Sequence, residues 1–243
     1  MPPLPPLESV DTLLHAREII STVVQTYGLR ATLHPKPFSS ELGTASHVHI
    51  SLQTSPGVPE DFYLPFYAGV LKSLPAIIAV SYSNPASYQR IVEGFWAGGS
   101  WISWGTQNRE TPLRKVDGSH WEIKCFDGLA NPYIALAVII AAGTHGFDVN
   151  EEMVWKDCIQ DPSTLTERER EELGIKHKLP TTLNQALAEL SNSQVMTERL
   201  GKDFIERYTA IKVGEMELLA AMDENEQRNW IISRYEKAST AAY

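Results

Sequence analysis

Two short runs hold the side chains best suited to chemistry. In His47-Val48-His49-Ile50-Ser51-Leu52 polar and apolar residues alternate. Successive side chains of a strand point to opposite faces. His47, His49 and Ser51 therefore share one face, and Val48, Ile50 and Leu52 pack on a core from the other. Two imidazoles about 7 Å apart suit a divalent metal. A half-exposed strand with incidental histidines fits the same pattern. In His120-Trp121-Glu122-Ile123-Lys124-Cys125 the alternation puts His120, Glu122 and Lys124 on one face. A carboxylate between two cations is either a metal ligand or a neutralised surface ladder. A third set comprises Arg90, Arg109 and Arg114, with Lys36 and Lys115. Arginine grips carboxylate and phosphate through a planar fork. Structural ion pairs would use the same residues.

The elements that must position these groups can be read from the rest of the chain. Its 243 residues suffice for a sizeable core. Residues 151–243 carry 30 of the 51 charged side chains, while the first 150 hold four of the six tryptophans. That contrast predicts a core layer in 1–150 followed by solvated helices in 151–243. Pro2 to Leu7 reads as an extended lead-in, and 9–27 as a helix ended by Gly28. Strands are expected near 29–34, 47–53, 111–116 and 120–126. Residues 60–82 read as a buried helix broken or kinked at Pro75, and 94–106 as a loop entering a strand. Asn131-Pro132 opens a helix to about 142. Helices follow near 166–172 and 181–191, the second capped by Thr181, with two longer ones across 197–235.

Composition excludes several classes. A net charge of −9 argues against a phosphate-backbone binder, so no nucleic-acid partner is expected. The longest apolar stretch, Tyr133 to Gly143, is too short for a bilayer, and no signal peptide opens the chain. Cys125 and Cys158 are too few for a disulfide scaffold and are expected as reduced thiols, which points to the cytoplasm. No Walker A loop, dinucleotide glycine fingerprint or Gly-x-Ser-x-Gly elbow is present.

Together the motifs resemble the glutamine synthetase family. His34-Pro35-Lys36-Pro37-Phe38, Gly43 and His47-Val48-His49-Ile50-Ser51 resemble its Lys-Pro…Gly…His-x-His-x-Ser segment. Asn108-Arg109 through Arg114 resembles its Asn-Arg…Arg segment. Glu122-x-Lys124…Asp127…Ala130-Asn131-Pro132-Tyr133 resembles its Glu-x-Arg…Asp…Ala-Asn-Pro-Tyr. The wording of the tryptophan and Lys-Cys-Phe-Asp segments looks most like the fungal FluG-type branch. The resemblance runs in order from about residue 9 to the end. It implies an α+β fold, the C-terminal part of a catalytic domain: a curved, mostly antiparallel sheet backed by helices.

The resemblance also implies an ATP-dependent carbon–nitrogen ligase, with Mg²⁺ or Mn²⁺, joining a glutamate-like acid to ammonia or an amine. Carried over, His47 and Glu122 are metal ligands, and His49 and Ser51 contact nucleotide. Gly43 and Arg90 bind the acid. Arg109, Arg114 and Lys124 serve the phosphate and the reacting carboxylate. His47 and Glu122 should then converge from adjacent strands, and Arg90, Arg109, Arg114 and Lys124 should line one cationic pocket. Homo-oligomers are expected of the full-length form. Departures are Lys124 in place of arginine, Leu42 in place of a glutamate-contacting asparagine, and Trp96 in place of a flap glutamate. The family's four further metal carboxylates and its small N-terminal domain lie upstream of the matched segment. The expectation is therefore a truncated, poorly active form. A γ-glutamyl–amine ligase and a non-catalytic remnant acting in binding or assembly are the alternatives.

Overall fold

The structure, a computed structural model, describes residues 3–38, 41, 43, 44, 46–91 and 98–240, and for 235–240 the backbone alone. Helix α1 (Pro6–Thr26) starts three residues before the expected 9, inside the stretch read as an extended lead-in, because Pro6 stands at N1, where a missing N–H costs nothing. Gly28, at φ 69°, takes the left-handed turn after it. No strand forms at 29–34. The backbone there is satisfied by side chains instead: the His34 N–H donates to Thr32 Oγ1 and the Lys36 N–H to His34 Nδ1, each at 3.1 Å.

Four strands follow: β1 (Val48–Ile50), β2 (Trp104–Thr106), β3 (Leu113–Asp117) and β4 (His120–Ile123). They form one sheet in the order β1-β4-β3-β2. The β1–β4 and β3–β4 pairings are antiparallel and β2–β3 is parallel. The α+β class holds, with a small mixed sheet. The core face presents Leu113, Trp121 and Ile123, all fully buried. Against it packs α2 (Leu64–Ser81), which runs through Pro75 unbroken. Among the described residues α2, and not the shorter Tyr133 stretch, is the helix long and apolar enough to cross a bilayer, yet 78% of it is buried inside the protein. Tyr67 of α2 stacks on Trp121 at 4.3 Å and 9°. Its hydroxyl lies 2.9 Å from the Ile50 carbonyl and 2.8 Å from that of Ser119. One ring thus ties α2 to β1 and to the β3–β4 turn.

Asn131 caps α3 (Pro132–Asp148), its side chain accepting from the N–H groups of Tyr133 and Ile134. Helix α3 crosses α2 at two glycines. A Cβ on Gly146 would lie 2.1 Å from the Pro65 carbonyl and 3.0 Å from Gly69 Cα. The tail folds as α4 (Glu167–Glu172), α5 (Leu183–Asn192), α6 (Gln194–Leu200), α7 (Lys202–Ala220) and α8 (Glu224–Thr240). Thr182, not Thr181, caps α5; Thr181 binds the Gln185 side chain instead. The expected pair of long C-terminal helices is α7 and α8, and a short extra helix, α6, precedes them between Ser193 and Gly201. Leu183, Leu187, Leu190, Ile205 and Tyr208 join the core of α2 and α3. A smaller cluster joins Ala86, Leu129, Leu219 and Ile231.

The segment 155–160 closes the far side of the sheet. The Cys158 N–H donates to the Trp104 carbonyl at 3.0 Å, and Asp157 accepts from the Thr106 N–H and hydroxyl at 2.7 Å each. Asn108 donates to the carbonyls of Cys158 and Gln160 at 2.6 and 2.8 Å. These bonds hold the 107–112 loop.

Candidate active site

Glu122 occupies the middle of β4, so it has a cross-strand neighbour on both sides. His49 stands opposite it on β1 and Arg114 on β3. The registers alone bring the two sequence runs onto one polar face. His47, one residue before β1, meets Glu122 Oε1 through Nδ1 at 2.5 Å. Arg114 Nη1 donates to Oε2 at 3.0 Å, while its Nη2 bonds Gln107 Oε1. Lys124 Nζ and His49 Nε2 stand farther off, each 3.9 Å from Oε1. Burial alone would raise the Glu122 carboxyl. The His47 hydrogen bond, the Lys124 charge and the Arg114 hydrogen bond outweigh it and hold the pKa at about 2. The carboxylate is therefore charged and acceptor-only at neutral pH. Burial pushes the Lys124 ammonium and the His49 imidazole down, against the pull of Glu122.

Of the four cations expected in one pocket, Arg114 and Lys124 converge on Glu122. Arg90 connects to Lys124 through Tyr82, whose hydroxyl lies 3.5 Å from Arg90 Nη1 and 3.5 Å from the Lys124 carbonyl. Arg90 is buried at the end of a 3₁₀ turn (Pro85–Arg90), donating to the Phe126 carbonyl at 3.0 Å and lying 5.6 Å from the Tyr82 ring centroid. It faces Asp127, a buried carboxylate whose pKa burial drives upward against the opposing pull of Ser87 and Arg90. Gly43 packs directly on it: a Cβ there would lie 3.0 Å from Arg90 Cγ and 2.9 Å from the Pro35 carbonyl. Gly43 and Arg90 thus form one packed unit, because the loop before β1 meets the 3₁₀ turn. Arg109 is exposed on the 107–112 loop, and Ser51 is exposed just past β1. Leu42 and Trp96 lie outside the described residues.

Sequence reasoning missed one neighbour, Arg17, and one pairing, that of His49 with His120. Arg17 of α1 reaches Ser46, beside His47, at 3.4 Å, and feels the charge of Asp127. His120 Nε2 lies 2.9 Å from His49 Nδ1. Arg17 had no local signal, since one arginine in an amphipathic helix looks like a solvated position. His120 was visible on the polar face of its run, but its pairing depends on the β1–β4 register.

Residues 3–235 match the family described as "Glutamine synthetase, catalytic domain". The chain belongs to that family. It is 46% identical over 235 residues to the protein fluG of Emericella nidulans, covering 97% of this chain and 27% of fluG. It is 33% identical to the glutamine synthetase of Pyrococcus abyssi, covering 94% of this chain and 56% of that one. A gamma-glutamylpolyamine synthetase of Streptomyces coelicolor is 30% identical, with 91% and 51% covered. Among solved structures, a GmaS/ADP complex superposes with a TM-score of 0.76 at 25% identity, over 93% of this chain and 55% of that one. The glutamine synthetase-family chain thus spans about half, or less, of these relatives.

Whether the residues present fit the divalent ions of such a family can be judged from donor atoms. His47 Nδ1 and Glu122 Oε1 are 2.5 Å apart and hydrogen-bonded to each other, so an ion displacing the shared proton could take both as ligands. His47 Nε2 is buried with no hydrogen-bond partner. Among the described residues no group of three or more His, Cys, Asp or Glu side chains surrounds an ion position. The pair fits as one corner of an ion site. Mg²⁺ would take its remaining oxygens from water and phosphate.

Proposed function

We propose that this glutamine synthetase-family chain carries the nucleotide-facing strands of an ATP-dependent carbon–nitrogen ligase, acting on a glutamate-like acid and ammonia or an amine. One observation supports it most: a single ionised carboxylate, Glu122, organises His47, Arg114 and Lys124 on one polar face. His47 and Glu122 would hold Mg²⁺ or Mn²⁺, which when bound neutralises phosphate charge and polarises the transferred group. Arg114 spends one nitrogen on Glu122 and one on Gln107, which fixes its plane and aims its cation at the same face. Lys124 supplies a point charge beside the reacting carboxylate, with no fork to clamp it. Arg109, exposed on a tied loop, is placed to close on phosphate. His49 and Ser51 would contact the nucleotide; that one structural neighbour is an ADP complex supports nucleotide binding by this fold. Gly43 and Arg90 would contact the acid. In this reading the protein works in the cytoplasm, with further metal carboxylates supplied from outside these 243 residues, in a homo-oligomer.

The amine as nitrogen donor is favoured by two observations. One relative is a gamma-glutamylpolyamine synthetase. Trp96 also stands where the family resemblance places a base, and an indole has a single N–H and accepts no proton.

The test is nucleotide binding and phosphate release by the purified chain. Calorimetry should show Mg·ADP binding that His47→Ala and Glu122→Ala abolish. ATP-dependent phosphate release with glutamate should stay far below the roughly 1–100 s⁻¹ usual for phosphoryl transfer, and should rise more with a polyamine than with ammonia. No binding at millimolar nucleotide would overturn the ligase reading in favour of a role in assembly.

A further inference from the structure

The polar face carries an imidazole that the ligase reading does not use. His120 lies at the start of β4, and its Nε2 is 2.9 Å from His49 Nδ1. The rings are tilted by 54° with centroids 5.1 Å apart, so the contact is edge nitrogen to edge nitrogen, not a stack. Between neutral imidazoles a single shared proton makes such a contact. A metal ion can take the place of that proton. Metal–imidazole bonds are about 2.0–2.1 Å, so two nitrogens at right angles on one ion stand roughly 2.9 Å apart. The observed spacing is that of a square-planar or octahedral edge.

The far nitrogen of His49, Nε2, lies 3.9 Å from Glu122 Oε1, beyond hydrogen-bond reach. The charge of that carboxylate still favours a cation on this imidazole. The His49 side chain is half exposed, so an ion can reach it from solvent. The Arg114 charge nearby opposes a cation here, and Glu122 offsets it.

We propose that His49 and His120 form a two-imidazole chelate for a nitrogen-preferring divalent ion of the Ni²⁺, Cu²⁺ or Zn²⁺ class, with water completing the shell. The chelate is separate from the His47–Glu122 corner, which offers one nitrogen and one oxygen and suits a harder ion. Resting on the assignment of His49 to nucleotide, the consequence is competition: a bound transition ion withdraws His49 from the nucleotide.

The test uses the tag-free 243-residue chain, stripped with EDTA and titrated with NiCl₂ by calorimetry. One ion per chain is expected, and it should not be displaced by excess Mg²⁺. His120→Ala and His49→Ala should each weaken it about tenfold or more, with thermal melts showing both variants folded. His120→Asn provides a second variant of similar size. Cu²⁺ loaded in place of Ni²⁺ should show coupling to two imidazole nitrogens by electron paramagnetic resonance. Unchanged Ni²⁺ affinity in folded His120→Ala, or its loss in His47→Ala alone, would overturn the proposal. Failure of Mg·ADP to bind the wild-type chain would sink the ligase reading without touching this result.

Discussion

Arg114 and Glu122 face each other across the β3–β4 ladder, Nη1 to Oε2 at 3.0 Å, and the same carboxylate holds His47 through its other oxygen. Glu122 titrates at about 2 in the fold against an ordinary value of 4.5. A depressed carboxylate pKa gives stabilisation that is complete above the unfolded value and is lost as pH falls through the folded one. The window is therefore about 4.5 down to about 2. His47, His49, Arg114 and Lys124 are the charged groups facing it. Urea unfolding in EDTA should show wild type losing stability over this window faster than Glu122→Gln. At neutral pH the variant should be weaker by about 3 kcal/mol, since it strands buried cations. Parallel pH curves for the two proteins would refute the assignment.

Tyr67→Phe should cost about 1–2 kcal/mol. The ring keeps its stack on Trp121, but the Ile50 and Ser119 carbonyls lose their shared donor. A lower urea midpoint with an unchanged slope is the expected result. A midpoint equal to wild type would mean that water replaces the hydroxyl without loss.

Gly146→Ala should be severe, because its Cβ would meet the Pro65 carbonyl at 2.1 Å. Overpacking of this kind costs about 1–3 kcal/mol, which lowers the melting temperature by roughly 2–4 °C per kcal/mol in a chain of this size. Gly214→Ala in α7 is the contrast. Nothing lies within 4 Å of a Cβ there, so helix propensity should make it neutral or stabilising by up to about 1 kcal/mol. Scanning calorimetry of the two variants should move in opposite directions.

Both thiols should be inert in the fold. Burial pushes Cys125 up to about 12. Burial, then the charges of Asp157 and Asp161, push Cys158 up to about 11. A thiol reagent at pH 8 should react at the rate of unfolding, not of simple collision. Fast modification of one cysteine without denaturant would disprove this.

The strands of the site were readable because burial enforces a period of two. Val48 and Ile50 had to face inward, so His47 and His49 had to face out, and the same holds for Trp121 against Glu122. The parallel β2–β3 pairing was not readable. Three residues, Trp104 to Thr106, contain too little alternation to show a partner. Residues 29–34 looked like a strand by composition, but side-chain acceptors from Thr32 and His34 captured the backbone first. The surroundings of Arg90 were hidden for another reason. Tyr82, Phe126-Asp127 and Gly43 come from three segments, and no local pattern announces their meeting. The Thr181 and Thr182 error is a one-residue matter: both are good caps, and only the geometry of the turn chooses.

The 107–112 loop hangs on Asn108, whose two carbonyl partners are about fifty residues further along the chain. Strands β3 and β4 complete the Glu122 face well before that point, so the face and the loop have different birthdays. A nascent chain halted short of residue 158 would contain every strand of the Glu122 face while lacking both carbonyl anchors of the Arg109 loop. Synthesis order thus separates the part of the site that is built by pairing from the part that is tied on afterwards.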